Sequence, residues 1–131
     1  MRRALRTAEI AGFAHPQVTP LLKEVDYGEY EGLTSAKIHE TSPDWDLYRD
    51  GCPGGETPAQ IYERAGKFLE LAISAKGPVL AFSHGHFLRA VAVAWMQLNI
   101  TAASRLLLDV ATMNKLVEDS HGRELALWNA P

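Results

Sequence analysis

The chain has 131 residues, 47% of them hydrophobic, and a net charge of -3 with both signs scattered along it. Its length limits it to one domain, short for an open α/β one, and its composition excludes a disordered chain. No basic surface is available for nucleic acid or anionic membrane, no apolar run reaches bilayer length, and the single Cys52 excludes an internal disulfide and fits a reducing cytoplasm.

Residues 2–12 predict a helix, with Ala4, Leu5, Ala8 and Ala11 near one face and Gly12 as its stop. No Ser, Thr, Asp or Asn precedes it, so its first N–H groups lack an evident cap. Arg2, Arg3 and Arg6 crowd the positive end of its dipole. Two readings stay open there: an anion sits close by, or this is a solvated basic turn. His15-Pro16 begins a loop, and Val18 to Val25 is read as extended because Pro20 opposes a regular helix. The stretch from Leu22 to Leu33 holds Glu24, Asp26, Glu29 and Glu31 with Tyr27 and Tyr30. It suits neither a helix nor a core strand, and reads as a functional loop or an acidic surface loop.

Thr34 is placed to cap a short helix through Glu40, ended by Ser42-Pro43. Asp44 to Arg49 forms a helical turn or two, with Trp45 and Tyr48 three apart. Asp50 to Gly55 is a loop, and Cys52 within it has no assigned role. Glu56-Thr57-Pro58 starts a long helix that runs to about Ser74, with Glu56 expected as its cap. Ile61, Ala65, Phe68, Leu69 and Ala72 form its apolar stripe.

Val79 to Phe82 is a continuous apolar run after Gly77-Pro78, the pattern of a strand buried on both faces. Ser83 to His86 breaks it with polar groups and a glycine. Phe87 to Gln97 then reads as a helix, apolar nearly all round and therefore buried. This order places Ser83, His84 and His86 at the carboxyl end of a strand, beside the free N–H groups of a helix N-terminus, where anions bind. Three readings remain for the histidines: a phosphate site, hydrogen-bonded scaffold, or a zinc site, for which no nearby third ligand is evident. Thr101 to Ser104 is a connector and Leu106 to Leu108 a short strand. Asn114 to Glu118 and Glu124 to Trp128 form a hairpin around Asp119-Ser120-His121-Gly122.

The order is that of an α/β fold with an antiparallel edge. Its bookkeeping does not close, because Val79 to Phe82 is the only central parallel strand and lacks parallel neighbours. Either the chain associates into a homo-oligomer through open edges, or strands preceding Met1 belong to the sheet.

Several separated motifs together resemble one family. Arg2-Arg3-Ala4-Leu5-Arg6-Thr7-Ala8 resembles a helix whose arginine grips phosphate, and Leu22 to Gly32 a loop carrying a proton donor. Pro53-Gly54-Gly55-Glu56-Thr57 resembles the turn into a long helix. Ser83-His84-Gly85-His86-Phe87-Leu88-Arg89-Ala90 resembles a catalytic-histidine segment, and Leu127-Trp128-Asn129 a last strand. On these motifs the chain resembles the histidine phosphatase superfamily, also called phosphoglycerate mutase-like, over nearly its whole length. The resemblance implies a single domain over residues 1–131. It would be an incomplete three-layer α/β/α sandwich with a mostly parallel sheet and an antiparallel edge. The family's nucleophilic histidine lies in an Arg-His-Gly triplet, which does not occur in this sequence. The expectation is therefore a member lacking its front portion.

The resemblance implies a phosphomonoesterase working through phosphohistidine on a small phosphate ester, without metal or other cofactor. Glu24 would be the proton donor and His84 the second catalytic histidine. Arg3 and the N–H groups of Gly85 and His86 would bind phosphate, Tyr27 would line the substrate pocket, and Arg89 would be scaffold paired with a carboxylate. The Trp45 to Cys52 segment leading into Gly55-Glu56-Thr57 is most similar to phosphosugar and acid phosphatases, including sedoheptulose-bisphosphatase-like enzymes. A phosphomutase and a non-catalytic phosphate- or partner-binding remnant are the alternatives.

Overall fold

A computed structural model describes residues 2–131. Five helices form: α1 (Arg2–Ile10), α2 (Ser35–Thr41), α3 (Leu47–Asp50), α4 (Pro58–Ser74) and α5 (Gly85–Trp95). A hairpin of β1 (Met113–Asp119) and β2 (Gly122–Ala130) closes the chain. Capping chemistry sets most of the helix starts. Thr34 accepts the Lys37 N–H, Asp46 accepts those of Tyr48 and Arg49, and Thr57 and Gln60 form a reciprocal capping box. Beyond α1, Gly12 takes φ +93°, a conformation that suits a residue without Cβ.

The core forms where α4 packs on α5, with Ile61, Ala65, Phe68, Phe87, Ala90 and Val93 buried between the segments that meet there. The hairpin is tied to α5 by the Trp95 indole N–H, which donates to the Glu124 carbonyl at 3.1 Å, and by Arg123, whose guanidinium lies 4.6 Å from the Trp95 ring centroid. No described helix is long and apolar enough to cross a membrane.

Several expectations change. The buried strand over Val79 to Phe82 does not form: Val79 is 49% exposed, Leu80 56%, and no regular pairing is present there. A strand needs a partner for its backbone groups, and among the described residues the only sheet is the antiparallel hairpin. The expected mostly parallel sheet is therefore not present among the described residues. Leu106 to Leu108 likewise makes no strand; it follows a 3₁₀ stretch, Ile100–Arg105, that absorbs the expected connector. Val18 to Val25 is interrupted by a 3₁₀ turn, Pro20–Leu22, capped by the Thr19 hydroxyl. The last helix begins two residues earlier than its apolar run, at Gly85, and ends at Trp95.

An apolar groove of about 750 Å3 is lined by Leu5 and Ala8 of α1, Phe68 and Leu71 of α4, and Val79 and Phe82. None of Arg3, Glu24, Tyr27, His84 and His86 lines it.

Candidate active site

The site begins with an arginine that the sequence reading passed over. Arg64 lies on the inner side of α4, one turn from Ile61 and Phe68. Its Nη1 donates to the carbonyls of Leu21 (2.8 Å) and Lys23 (2.9 Å). Its Nε and Nη2 donate to the two carboxylate oxygens of Glu56 at 2.7 and 2.9 Å, a bidentate pair with both side chains largely buried. The same guanidinium lies 3.9 Å from the centroid of the Phe87 ring. One side chain thus fixes the acidic loop, the start of α4 and the start of α5 together. Its signal in the sequence was a charge inside an apolar stripe.

Glu56 does not cap α4; Thr57 does, and Glu56 serves the loop instead. It accepts the Asp26 N–H at 2.9 Å, and its own N–H donates to the Asp26 carbonyl at 2.9 Å. Burial alone would raise the Glu56 pKa, but Arg64 and the Asp26 N–H outweigh it and hold the carboxyl below its usual value. Backbone contact between the two loops is so close that only glycine fits at Gly28 and Gly55. A Cβ on Gly28 would lie 2.2 Å from the Pro53 oxygen, and one on Gly55 would lie 2.3 Å from the Asp26 oxygen.

Held this way, the loop presents Glu24 to the N-terminus of α5. Oε1 accepts the N–H of Val25 at 2.9 Å and that of Phe87 at 3.0 Å, while Oε2 accepts the His86 N–H at 3.4 Å. The helix's own N-cap residue, His84, makes no side-chain capping bond. Glu24 therefore performs the capping from a distant loop, and the His84 imidazole is left free for other work. Ser83 pins the turn to the same loop, its hydroxyl donating to the Leu22 carbonyl at 2.8 Å.

The His84 ring is partly buried, and its Nε2 is enclosed without a hydrogen-bond partner. Burial depresses its pKa; the Glu24 carboxylate opposes this and the Arg3 charge adds to it. Arg3 and Glu24 thus each act on the charge of His84, although the three come from separate elements. Arg3 sits exposed in the first turn of α1, which holds no acidic residue. Gly85 is the exposed first residue of α5.

His86 stands differently from its expected place. Its backbone N–H, expected to face phosphoryl oxygens, goes to Glu24. Its ring Nδ1 lies 2.5 Å from the Tyr27 hydroxyl oxygen. Tyr48, which the sequence reading gave no role, is buried beside it and donates its hydroxyl to the His86 carbonyl at 2.8 Å. Arg89 was expected to pair with a carboxylate. Among the described residues it makes no ion pair, its Nε is enclosed without a partner, and its charge acts on Tyr48 and His86. Cys52, read as a loop residue, is buried in the core, and burial raises its thiol pKa. No group of three or more His, Cys, Asp or Glu side chains arranged to hold a metal ion occurs among the described residues.

This arrangement offers a carboxyl oxygen with spare hydrogen-bonding capacity, an imidazole free at one nitrogen, and a nearby guanidinium. Such a set can deliver a proton and hold an anion. Comparison with known proteins places the chain in a family. A family model described as histidine phosphatase superfamily (branch 1) matches residues 1–131. An acid phosphatase of Mycobacterium tuberculosis is 44% identical over 129 residues, covering 96% of this chain and 63% of that protein. The sedoheptulose 1,7-bisphosphatase of Saccharomyces cerevisiae is 26% identical over 116 residues, covering 76% of this chain and 43% of that protein. The chain therefore spans less than two thirds of the length of these relatives. The solved structure of a Mycobacterium tuberculosis open reading frame superimposes with a TM-score of 0.94 at 42% identity, covering 98% of this chain and 68% of that one. The alpha-ribazole phosphatase of Shigella flexneri shares the α/β fold, with a TM-score of 0.80 at 16% identity over 99% of this chain and 70% of that one.

Proposed function

The chain belongs to the histidine phosphatase superfamily, branch 1, and from that premise we propose that it is a phosphomonoesterase of small phosphorylated metabolites, with sugar phosphates as the favoured class. The observation that carries this reading is the meeting of Glu24 with the turn that holds His84. Val25 and Phe87 occupy Oε1, so Oε2, with only the long 3.4 Å contact, is the oxygen able to carry a proton to a leaving group.

The nucleophile in this reading is an imidazole from an Arg-His-Gly segment, a triplet absent from residues 1–131. Its nitrogen forms a bond to phosphorus while the ester P–O bond breaks, and Glu24 gives its proton to the departing oxygen. Glu24 then takes a proton from water, whose oxygen displaces the imidazole and releases phosphate. Arg3, His84 and the Gly85 N–H balance the charge on the non-bridging oxygens through both displacements. In the same reading, strands accompanying the nucleophile pair with residues 79–82 and fill the apolar groove, completing a three-layer sandwich. The exposed Val79 and Leu80 support this. The enzyme works in the cytoplasm, consistent with the lone, buried Cys52.

One observation favours a second reading. Without Arg-His-Gly, residues 1–131 by themselves would bind phosphate and never form phosphohistidine. One experiment separates the two. An upstream segment bearing Arg-His-Gly is fused to the chain, and hydrolysis of p-nitrophenyl phosphate and acid-labile phosphoprotein are measured. The phosphatase reading expects turnover that falls about 10²–10³-fold in His84→Ala. A folded fusion with neither turnover nor phosphoprotein would overturn it.

A further inference from the structure

The His86 ring takes no part in the mechanism above. It belongs to the first turn of α5, where each Cα–Cβ bond tilts toward the N-terminus of the helix. The imidazole therefore reaches back toward the end of α5 that Glu24 caps, and its backbone N–H lies 3.4 Å from Glu24 Oε2. Two tyrosines hold it there. The Tyr27 hydroxyl oxygen lies 2.5 Å from Nδ1, and the two rings meet edge to face with centroids 5.6 Å apart and planes at 84°. The buried Tyr48 ring meets the imidazole with centroids 6.3 Å apart, and its hydroxyl donates to the His86 carbonyl.

The two ring nitrogens are treated differently. Nδ1 is taken by Tyr27. Nε2 bonds no described residue, and unlike Nε2 of His84 it is not enclosed, so it is open to solvent or a ligand. The Tyr27 hydroxyl bonds no described residue besides His86. Its single proton therefore goes to Nδ1, and the proton of the ring stays on Nε2. Burial lowers the His86 pKa, Glu24 opposes this and Arg89 adds to it, so the ring is neutral near pH 7. What Nε2 presents is one uncharged N–H donor.

In the proposed reaction the phosphoryl oxygens are met by Arg3, His84 and the Gly85 N–H. His86 stands instead on the Oε2 side of Glu24, where the leaving oxygen departs. We propose that the Nε2–H of His86 donates to a hydroxyl oxygen of the leaving group, which makes His86 a specificity-determining residue for polyol phosphates and Tyr27 the positioning residue behind it. This rests on the reading of Glu24 as the proton donor. A leaving alcohol with no further hydroxyl leaves Nε2–H unanswered and is held less well. No proton is transferred at His86; it holds the alcohol while Glu24 protonates the departing oxygen.

The test is titration of the full chain with two probes, glycerol 1-phosphate and methyl phosphate, followed by histidine side-chain ¹⁵N NMR near neutral pH. The wild type should carry the His86 proton on Nε2. Both probes should move the His84 signals, and only glycerol 1-phosphate should move His86 Nε2. The ratio of the two affinities should favour glycerol 1-phosphate and shrink about 2–10-fold in His86→Leu, the worth of one neutral hydrogen bond. His86→Gln, whose amide N–H replaces Nε2–H, should restore part of the ratio. Tyr27→Phe should mix the His86 tautomers and lower the ratio by less than His86→Leu does. A wild-type proton on Nδ1, a His86 signal that answers both probes alike, an unchanged ratio in His86→Leu or an unmixed tautomer in Tyr27→Phe would each overturn the proposal. If His86→Leu does not fold, the wild-type tautomer and the selective shift of Nε2 decide without it. Methyl phosphate that leaves His84 unmoved brings down the phosphatase reading and this proposal together. Methyl phosphate that moves His84, with no preference for the polyol, brings down this proposal alone.

Discussion

Glu24 Oε1 and the Phe87 N–H, 63 positions apart in the chain, lie 3.0 Å from each other, so the candidate proton donor is also the cap of α5. Stability and chemistry are therefore coupled in one side chain. Glu24→Ala should lose about 0.5–2 kcal/mol, the usual worth of a cap, together with any phosphatase activity. Glu24→Gln keeps an acceptor for the N–H groups but has no acidic proton. It should retain most of the stability in urea unfolding and lose about 10²–10⁴-fold in turnover in the fusion that supplies the nucleophile. Equal losses of stability in both variants would sink the capping role.

Arg64 holds the loop on which Glu24 stands. Arg64→Met strands a largely buried Glu56 carboxylate and frees two loop carbonyls, and should cost about 3–5 kcal/mol. Replacing both members, Arg64→Met with Glu56→Leu, should recover part of that loss. The double-mutant cycle by urea unfolding measures the coupling.

The same pair predicts an acid limb. The folded Glu56 pKa is depressed, so its contribution is fully present above the ordinary value of 4.5 and is lost as pH falls through the lower folded value. Stability measured between pH 6 and 3 should drop more steeply in the wild type than in Glu56→Gln. Parallel slopes would contradict the assignment.

Gly28 and Gly55 set the spacing of the two loops. Gly28→Ala and Gly55→Ala each drive a Cβ into backbone atoms that cannot yield, Gly28 also at φ +52°. Each should cost about 2–5 kcal/mol. Gly66→Ala, on α4 with nothing within 4 Å of the added Cβ, serves as the control and should be neutral or slightly stabilising. Thermal unfolding of the three variants checks this.

His84 and Arg3 should act together on an anion. Sulfate keeps its charge across neutral pH, so its affinity should rise as pH falls through the depressed His84 midpoint, and bound sulfate should in turn raise that midpoint. His84→Gln should flatten the pH dependence. Arg3→Ala should weaken binding yet raise the midpoint in the free protein, because a nearby cation disfavours the imidazolium. Histidine NMR with sulfate titration reads both effects.

What the sequence by itself determined is local. Thr34 and Thr57 start helices, Gly12 ends one, and the residues around Asp119 to Gly122 turn a hairpin, because caps and turns are settled by neighbours a few positions away. The apolar spacing from Ile61 to Ala72 likewise marked the buried face of α4. Membership of the superfamily was legible too, since separated motifs keep their order along a chain. Tertiary structure decided the rest. An apolar run such as Val79 to Phe82 states a preference for burial, but its hydrogen-bond partners must come from elsewhere, and here it stays unpaired. Glu24 meets Phe87, Tyr27 meets His86, and Arg64 reaches Leu21 and Lys23 only after α4 packs on α5. No periodicity within any one segment encodes contacts whose existence depends on how two segments are brought together.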